Sequence, residues 1–231
     1  MIKAVTFDVG GTLADGGLDK KLFVSKVIEY LSGLGFKVNK KAYKKALDAA
    51  MKRLQASWAS GREMSFDQFY SLVLSGLGIT PDDSLLEDLR SLYFSCFKSE
   101  VLPGARGVLE ALSGRYKLGV ISNSISCWPR KFLEREGLDA YFQVIIISGE
   151  VGWRKPHRKI FEAALTGLGL EPEEVVHVGN SPSDDVAGAK AVGMKAVLVL
   201  GQDSNEAWEV EPDAVIRSLS ELPRVLANMD P

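Results

Sequence analysis

Four places in the chain join a polar, chemically competent side chain to a tight turn directly after an apolar run. The first is Val5-Thr6-Phe7-Asp8-Val9-Gly10-Gly11-Thr12, where a short strand ends on a carboxylate and two glycines follow. Glycine lets backbone N–H groups approach an anion closely, so this turn suits a phosphate cradle beside the Asp8 carboxylate. The second is the run 117–121, which leads into Ser122-Asn123-Ser124, where a hydroxyl and adjacent N–H groups can hold a phosphate oxygen. The third is Arg154-Lys155-Pro156, a cation pinned before a proline, suited to offset negative charge gathered in a cleft. The fourth is His177-Val178-Gly179-Asn180-Ser181-Pro182-Ser183-Asp184-Asp185. Its acids also fit the plain role of capping the next helix, and His177, inside a strand, reads as a packed core residue. Taken singly, each station is also an ordinary strand-end turn.

These stations need a scaffold that gathers strand ends. After Pro103-Gly104 the pattern alternates: helix 105–114, strand 117–122, helix 129–137, strand 143–148, helix 156–168, strand 174–179, helix 184–193, strand 195–200, then a short edge strand at 213–216. That alternation predicts a parallel sheet covered on both faces, with ligands at the C-terminal edge of its strands. Residues 17–100 read instead as four helices. The first carries Leu22, Val24, Val27, Ile28 and Leu31; the second is capped by Asn39, the third by Ser65, and the fourth opens at Pro81. The expected architecture is therefore α/β, a Rossmann-like doubly wound core built from 1–15 and 101–231, with an inserted helical-bundle cap at 16–100.

The chain has 231 residues, 46% of them hydrophobic, which supplies a sizeable core, and a net charge of −2 without blocks of like charge. Neither a nucleic-acid groove nor a membrane surface is indicated. Two cysteines, Cys96 and Cys127, offer neither metal spacing nor a disulfide framework, which points to a reducing, cytosolic setting. No leader segment or membrane-spanning run is read.

Asp8 with Thr12, then Ser122, then Lys155-Pro156, then Gly179-Asn180 with Asp184 and Asp185, each following a strand, together resemble the haloacid dehalogenase (HAD) superfamily. Gly11-Thr12-Leu13, Ile160-Phe161 and Gly188-Ala189 extend the match. The resemblance implies a hydrolase, most often a phosphatase of small molecules. Asp8 would be the nucleophile, forming an aspartyl intermediate. Gly11, Thr12, Ser122, Asn123 and Lys155 would bind the transferring group. Mg²⁺ would sit among Asp8, the Gly10 carbonyl, Asn180, Asp184 and Asp185. The helical cap would close over the cleft and select the substrate.

Two positions depart from the phosphatase pattern. Gly10 stands where a second aspartate usually serves as general acid and base, a loss that typically costs about 10²–10⁴ in rate. Asn180 stands where a metal-ligating aspartate is usual, which weakens a hard-cation site. The chain is therefore expected to be a slow phosphatase that favours good leaving groups, such as aryl or acyl phosphates, over sugar phosphates. The same departures are similar to the metal-free 2-haloacid dehalogenases. Gly10 and Phe161 stand where those enzymes carry tyrosines, however, Ser183 stands where they carry an aspartate, and no arginine falls in 16–50. A third reading is a weakly active or inactive member that binds a phosphorylated ligand. Asp15 is a weak substitute for the missing acid, and Trp58, Arg62, Trp128 and Trp153 are candidates for the cleft entrance.

Overall fold

The computed structural model describes residues 1–201 and 208–229; the expected core range 101–231 therefore includes a few residues outside the description. The elements in chain order are β1 (Ala4–Phe7), β2 (Ala14–Leu18), α1 (Lys20–Gly33), α2 (Lys40–Trp58), α3 (Phe66–Gly76), α4 (Asp83–Ser95), β3 (Phe97–Val101), α5 (Ala105–Ser113), β4 (Lys117–Ser122), α6 (Trp128–Arg135), β5 (Val144–Ile147), α7 (Ser148–Val151), α8 (Arg158–Leu168), β6 (Val175–Gly179), α9 (Ala187–Ala191), β7 (Lys195–Val199), β8 (Ala214–Ile216) and α10 (Leu222–Met229).

Six of the strands form one parallel sheet in the order β5-β4-β1-β6-β7-β8. The chain works outward from β1 through β4 to β5, then returns to the other side of β1 with β6. The strand order thus reverses beside β1, and the crevice outside the strand ends at such a reversal is where open α/β sheets bind ligands. Side chains alternate across the sheet. Val5 and Phe7 of β1 join Val176 and Val178 of β6 under α5, α6 and α10. Ala4 and Val175 instead face α8 and α9, with Ile160, Phe161 and Ala189. The same period puts Thr6, Asp8 and His177 on the α8 side of the sheet.

Helices α1–α4 form the inserted cap around a separate apolar cluster that includes Phe23, Val27, Leu31, Tyr43, Phe66, Tyr70, Leu89 and Tyr93. The buried stripe of α1 is Phe23, Val27 and Leu31, a clean i, i+4, i+8 row, while the expected Leu22 is 38% exposed. Asn39 and Ser65 cap α2 and α3 as expected, and Gln68 completes a capping box with Ser65. The fourth helix starts later than Pro81, because the Asp82 carboxylate accepts from the Leu85 N–H and fixes the first turn.

The expected all-helical stretch 17–100 is in fact bounded by strands. β2 pairs antiparallel with β3, Ala14 opposite Val101 and Leu18 opposite Phe97, so both chain crossings into the cap run side by side. Gly16 makes this possible: its φ is +94°, and a Cβ there would lie 2.0 Å from the Lys98 carbonyl oxygen. Gly16-Gly17 form a strand in the fold because their partners, Ser99 and Lys98, lie some eighty residues away.

Candidate active site

Asp8 follows β1 directly, and its N–H donates to the Val178 carbonyl at 2.9 Å, which extends the β1–β6 pairing to the carboxylate itself. Lys155, just before α8, sends its ammonium into the sheet edge. Its Nζ donates to Asp8 Oδ1 at 2.7 Å, to Asp185 Oδ1 at 2.6 Å and to the Ile121 carbonyl at 2.8 Å. All three donors of a lysine only 2% exposed are therefore used.

Two carboxylates share this one cation, and their surroundings push them apart. Burial raises both. Asp185 is then overruled by Lys155 and His177, while the Ser181 N–H at 2.9 Å holds its other oxygen, and it ends well below the usual carboxylate range. Asp8 has Lys155 as its one close cation and feels the charge of Asp185, so burial prevails and it ends above that range. The Lys155 ammonium, penalised by burial, is raised overall by the two carboxylates. His177 Nε2 lies 3.0 Å from Asp185 Oδ1 and Nδ1 lies 3.0 Å from Thr6 Oγ1. With its proton on Nε2, the ring donates to Asp185 and accepts from the Thr6 hydroxyl. His177 is a core residue as expected, packed edge-on to Phe161, but it belongs to a polar chain behind the cleft. Gly179 is needed for the same packing, since a Cβ there would lie 2.2 Å from Asp185 Cγ.

The expected helix 184–193 begins as a wide π-type turn over Pro182–Val186, capped by the Ser181 hydroxyl, before α9. This turn sends two consecutive carboxylates to different partners. Asp185 goes inward to Lys155, whereas Asp184 Oδ2 meets Asn123 Nδ2 at 3.1 Å and Arg154 at 3.8 Å. Burial raises Asp184 above its ordinary range, against the pull of Arg154. Asn123 also clamps the backbone of Lys155 from both sides, accepting from its N–H at 2.8 Å and donating to its carbonyl at 3.1 Å.

Asp8, Gly10, Ser122, Asn123, Lys155, Asn180, Asp184 and Asp185 line one cleft of about 460 Å³ between sheet edge and cap. Ser122 Oγ and Asp8 Oδ2 have no protein hydrogen-bond partner among the described residues, so both are left to a ligand. Gly11 and Thr12, expected to bind substrate, do not line this cleft and instead border a separate depression with Pro103 and Leu200. Gly11 packs against the Asn180 side chain, and the buried Thr12 hydroxyl approaches Asn180 Oδ1 at 3.5 Å. Asp15, on the exposed side of β2, borders a different depression with Lys98 and Arg135. Of the four entrance candidates, Trp128 lines the cleft and stacks on Phe97, with ring centres 4.6 Å apart. Arg62 lies over Trp153 at 3.6 Å, and Trp58 donates to the buried Glu63, so these three tie cap to core or line its interior. The sequence reading missed the cap residues Lys20 and Tyr93, which also line the cleft; nothing in their spacing marks them.

Among the described residues no three acidic, histidine or cysteine side chains cluster as a metal site. Both Asp185 oxygens hydrogen-bond within the protein, to Lys155, His177 and Ser181. What remains is a hard-oxygen set of Asp8, Asp184, the Asn180 amide and the Gly10 main chain. Two carboxylates fit a hydrated Mg²⁺ whose other positions are filled by water and substrate phosphate, the usual mode for that ion, and do not make a closed protein cage.

Comparison with known proteins agrees with this geometry. Residues 2–193 match the model of the haloacid dehalogenase-like hydrolases. Glyceraldehyde 3-phosphate phosphatase of Methanothermobacter thermautotrophicus is 32% identical over 220 residues, 93% of this chain and 91% of that protein. The crystal structure of a 2-haloacid dehalogenase from Pseudomonas syringae superposes with a TM-score of 0.75 at 26% identity, covering 99% of this chain and 100% of that one. YfnB of Bacillus subtilis, a putative HAD hydrolase crystallised with magnesium, shares the fold at 20% identity and a TM-score of 0.61, covering 97% and 98%. With that model matched over residues 2–193 and that relative over nearly its whole length, the chain belongs to the haloacid dehalogenase-like hydrolases.

Proposed function

We propose that the protein is a phosphatase of small phosphorylated molecules in which Asp8 is the nucleophile. The observation that carries this reading is the division of labour around Lys155: Asp185 anchors the ammonium, leaving Asp8 with one oxygen free and facing the cleft. In the first step Asp8 Oδ2 attacks phosphorus, the P–O bond to the leaving group breaks, and an aspartyl phosphate forms. Ser122 Oγ and the Asn123 N–H hold the transferring oxygens, and Lys155 offsets their charge. Water then attacks the aspartyl phosphate, releasing phosphate and regenerating the carboxylate. Asp8, Asp184, Asn180 and the Gly10 carbonyl would hold Mg²⁺, which supplies charge neutralisation to the approaching phosphate. Gly10 places no acid beside the leaving oxygen, so that oxygen departs as an anion and takes its proton from solvent. Esters of acidic alcohols and acyl phosphates are the favoured substrates. The core at 1–15 and 101–231 carries this chemistry, and the cap at 16–100 covers it. The free thiols of Cys96 and Cys127 suit a reducing compartment.

A second reading, metal-independent 2-haloacid dehalogenation, is favoured by Asn180 and by the likeness of the whole chain to a solved dehalogenase. One panel separates the two. Aryl and acyl phosphates, sugar phosphates and 2-haloacids are assayed with Mg²⁺ and with a chelator. Phosphate release that needs Mg²⁺ and is fastest for the aryl and acyl esters is the expected result. Halide release that persists in chelator, without phosphate release, overturns it.

A further inference from the structure

A second cavity, of about 430 Å³, lies inside the cap and adjoins the catalytic cleft. The two share Leu18, Lys20, Tyr93 and Ile125 as lining, so they lie side by side. The cap cavity draws on all four of its helices, with Phe23, Leu47, Phe69 and Tyr93 among its lining, and is apolar and aromatic apart from Lys20, the Trp58 indole N–H and three tyrosine hydroxyls. The bundle thus leaves space against its own apolar cluster, beside the cleft that Asp8 lines. The Tyr43 hydroxyl there is buried and has no hydrogen-bond partner among the described residues. Burial lifts Tyr43 to about 12 and Tyr70 well above its ordinary value, so both stay neutral. Lys20 is exposed and lines both, offering an aliphatic stem to their walls and a charged head to water.

We infer that the cap cavity receives the leaving group of the substrate. The substrate class is then a phosphate monoester of an apolar phenol, with its phosphoryl group at Asp8, Ser122 and Lys155 and its hydrocarbon part among the cap helices. This inference rests on the phosphatase reading for the reaction, but not for the binding of the apolar part. A sugar phosphate would bring hydroxyls into a cavity with little to pair them, which costs binding. An apolar group gains from leaving water, by about fourfold in affinity for each fully buried methylene.

Two series on the intact protein test the inference. The first is kcat/KM for phenyl, 4-ethylphenyl and 4-butylphenyl phosphates, whose leaving groups are nearly equal in acidity. The second is binding of ethyl-, butyl- and hexylphosphonate, read by tryptophan fluorescence, since Trp58 lines the cavity. Both are expected to rise about two- to fourfold per added methylene, so that hexylphosphonate binds at least about sixteenfold tighter than ethylphosphonate. Leu47→Trp should end the rise at a shorter chain and Leu47→Ala should extend it. A total change under twofold in both series overturns the inference, even when the aryl phosphates are hydrolysed, in which case the phosphatase reading stands alone. Chain-length dependence of phosphonate binding without hydrolysis of any ester supports the cavity as a ligand site and overturns the phosphatase reading.

Discussion

Replacing each of the two carboxylates that share Lys155 by its amide should give opposite phenotypes. Asp185 is 2% exposed and receives hydrogen bonds from Lys155, His177 and Ser181. Its charge is what compensates a buried ammonium. Asp185→Asn keeps the shape but leaves Lys155 with Asp8 alone and weakens the remaining hydrogen bonds. Breaking a buried pair costs about 3–5 kcal/mol, and the surviving Asp8 contact brings the expected loss to about 3 kcal/mol. With a urea slope of about 2–3 kcal/mol/M, the unfolding midpoint should fall by about 1 M. Asp8→Asn removes a carboxylate whose ionised form burial already disfavours, and Lys155 keeps Asp185. Its expected stability change is within about 1 kcal/mol, while turnover is lost because an amide is no nucleophile. Urea unfolding at pH 7 of the parent and both variants, alongside kcat/KM on an aryl phosphate, measures the contrast. Equal destabilisation by the two substitutions, or residual parental turnover in Asp8→Asn, would refute the assignment of anchor and nucleophile. The pH dependence carries the same sign. The folded-state value for Asp185 is depressed, so its contribution is present above the unfolded carboxylate range and is lost as acid carries the protein down through the folded value.

Two further outcomes follow from the cleft. Gly10 is exposed, and a Cβ built on it meets nothing within 4 Å, so Gly10→Asp restores the missing acid without crowding. Sugar-phosphate turnover should rise by about 10²-fold or more, the low end of general acid catalysis, with much less change for aryl phosphates; an equal gain on both classes would show that the acid is not what limits the parent. Because only ionised Asp8 attacks and burial raises its pKa above the ordinary 3.8, the acid limb of kcat/KM should have a midpoint above that value, and a limb at or below it would contradict the burial argument.

Much of this molecule is written locally. Strands β1, β4 and β6 are short buried runs that lead into polar residues, and apolar periodicity marks the cap helices, because strand and helix periods depend on neighbours within a few residues. That is why Asp8, Ser122, Asn123, Lys155, Asn180 and Asp184 could be named, in order, as one ligand-facing set. Their convergence on a single edge follows from parallel pairing, which brings all C-terminal strand ends to the same side. What the local pattern lacks is any record of partners distant along the chain. The Gly16-Gly17 strand exists through the Lys98 carbonyl, and Asp185 is an anchor through a lysine thirty residues earlier. Which of two adjacent acids turns inward was decided by the wide turn at Pro182–Val186 and by the space Gly179 leaves. The cap cavity is further still from the sequence, since it is the volume four helices fail to fill when they pack, a property of their assembly and of no one helix.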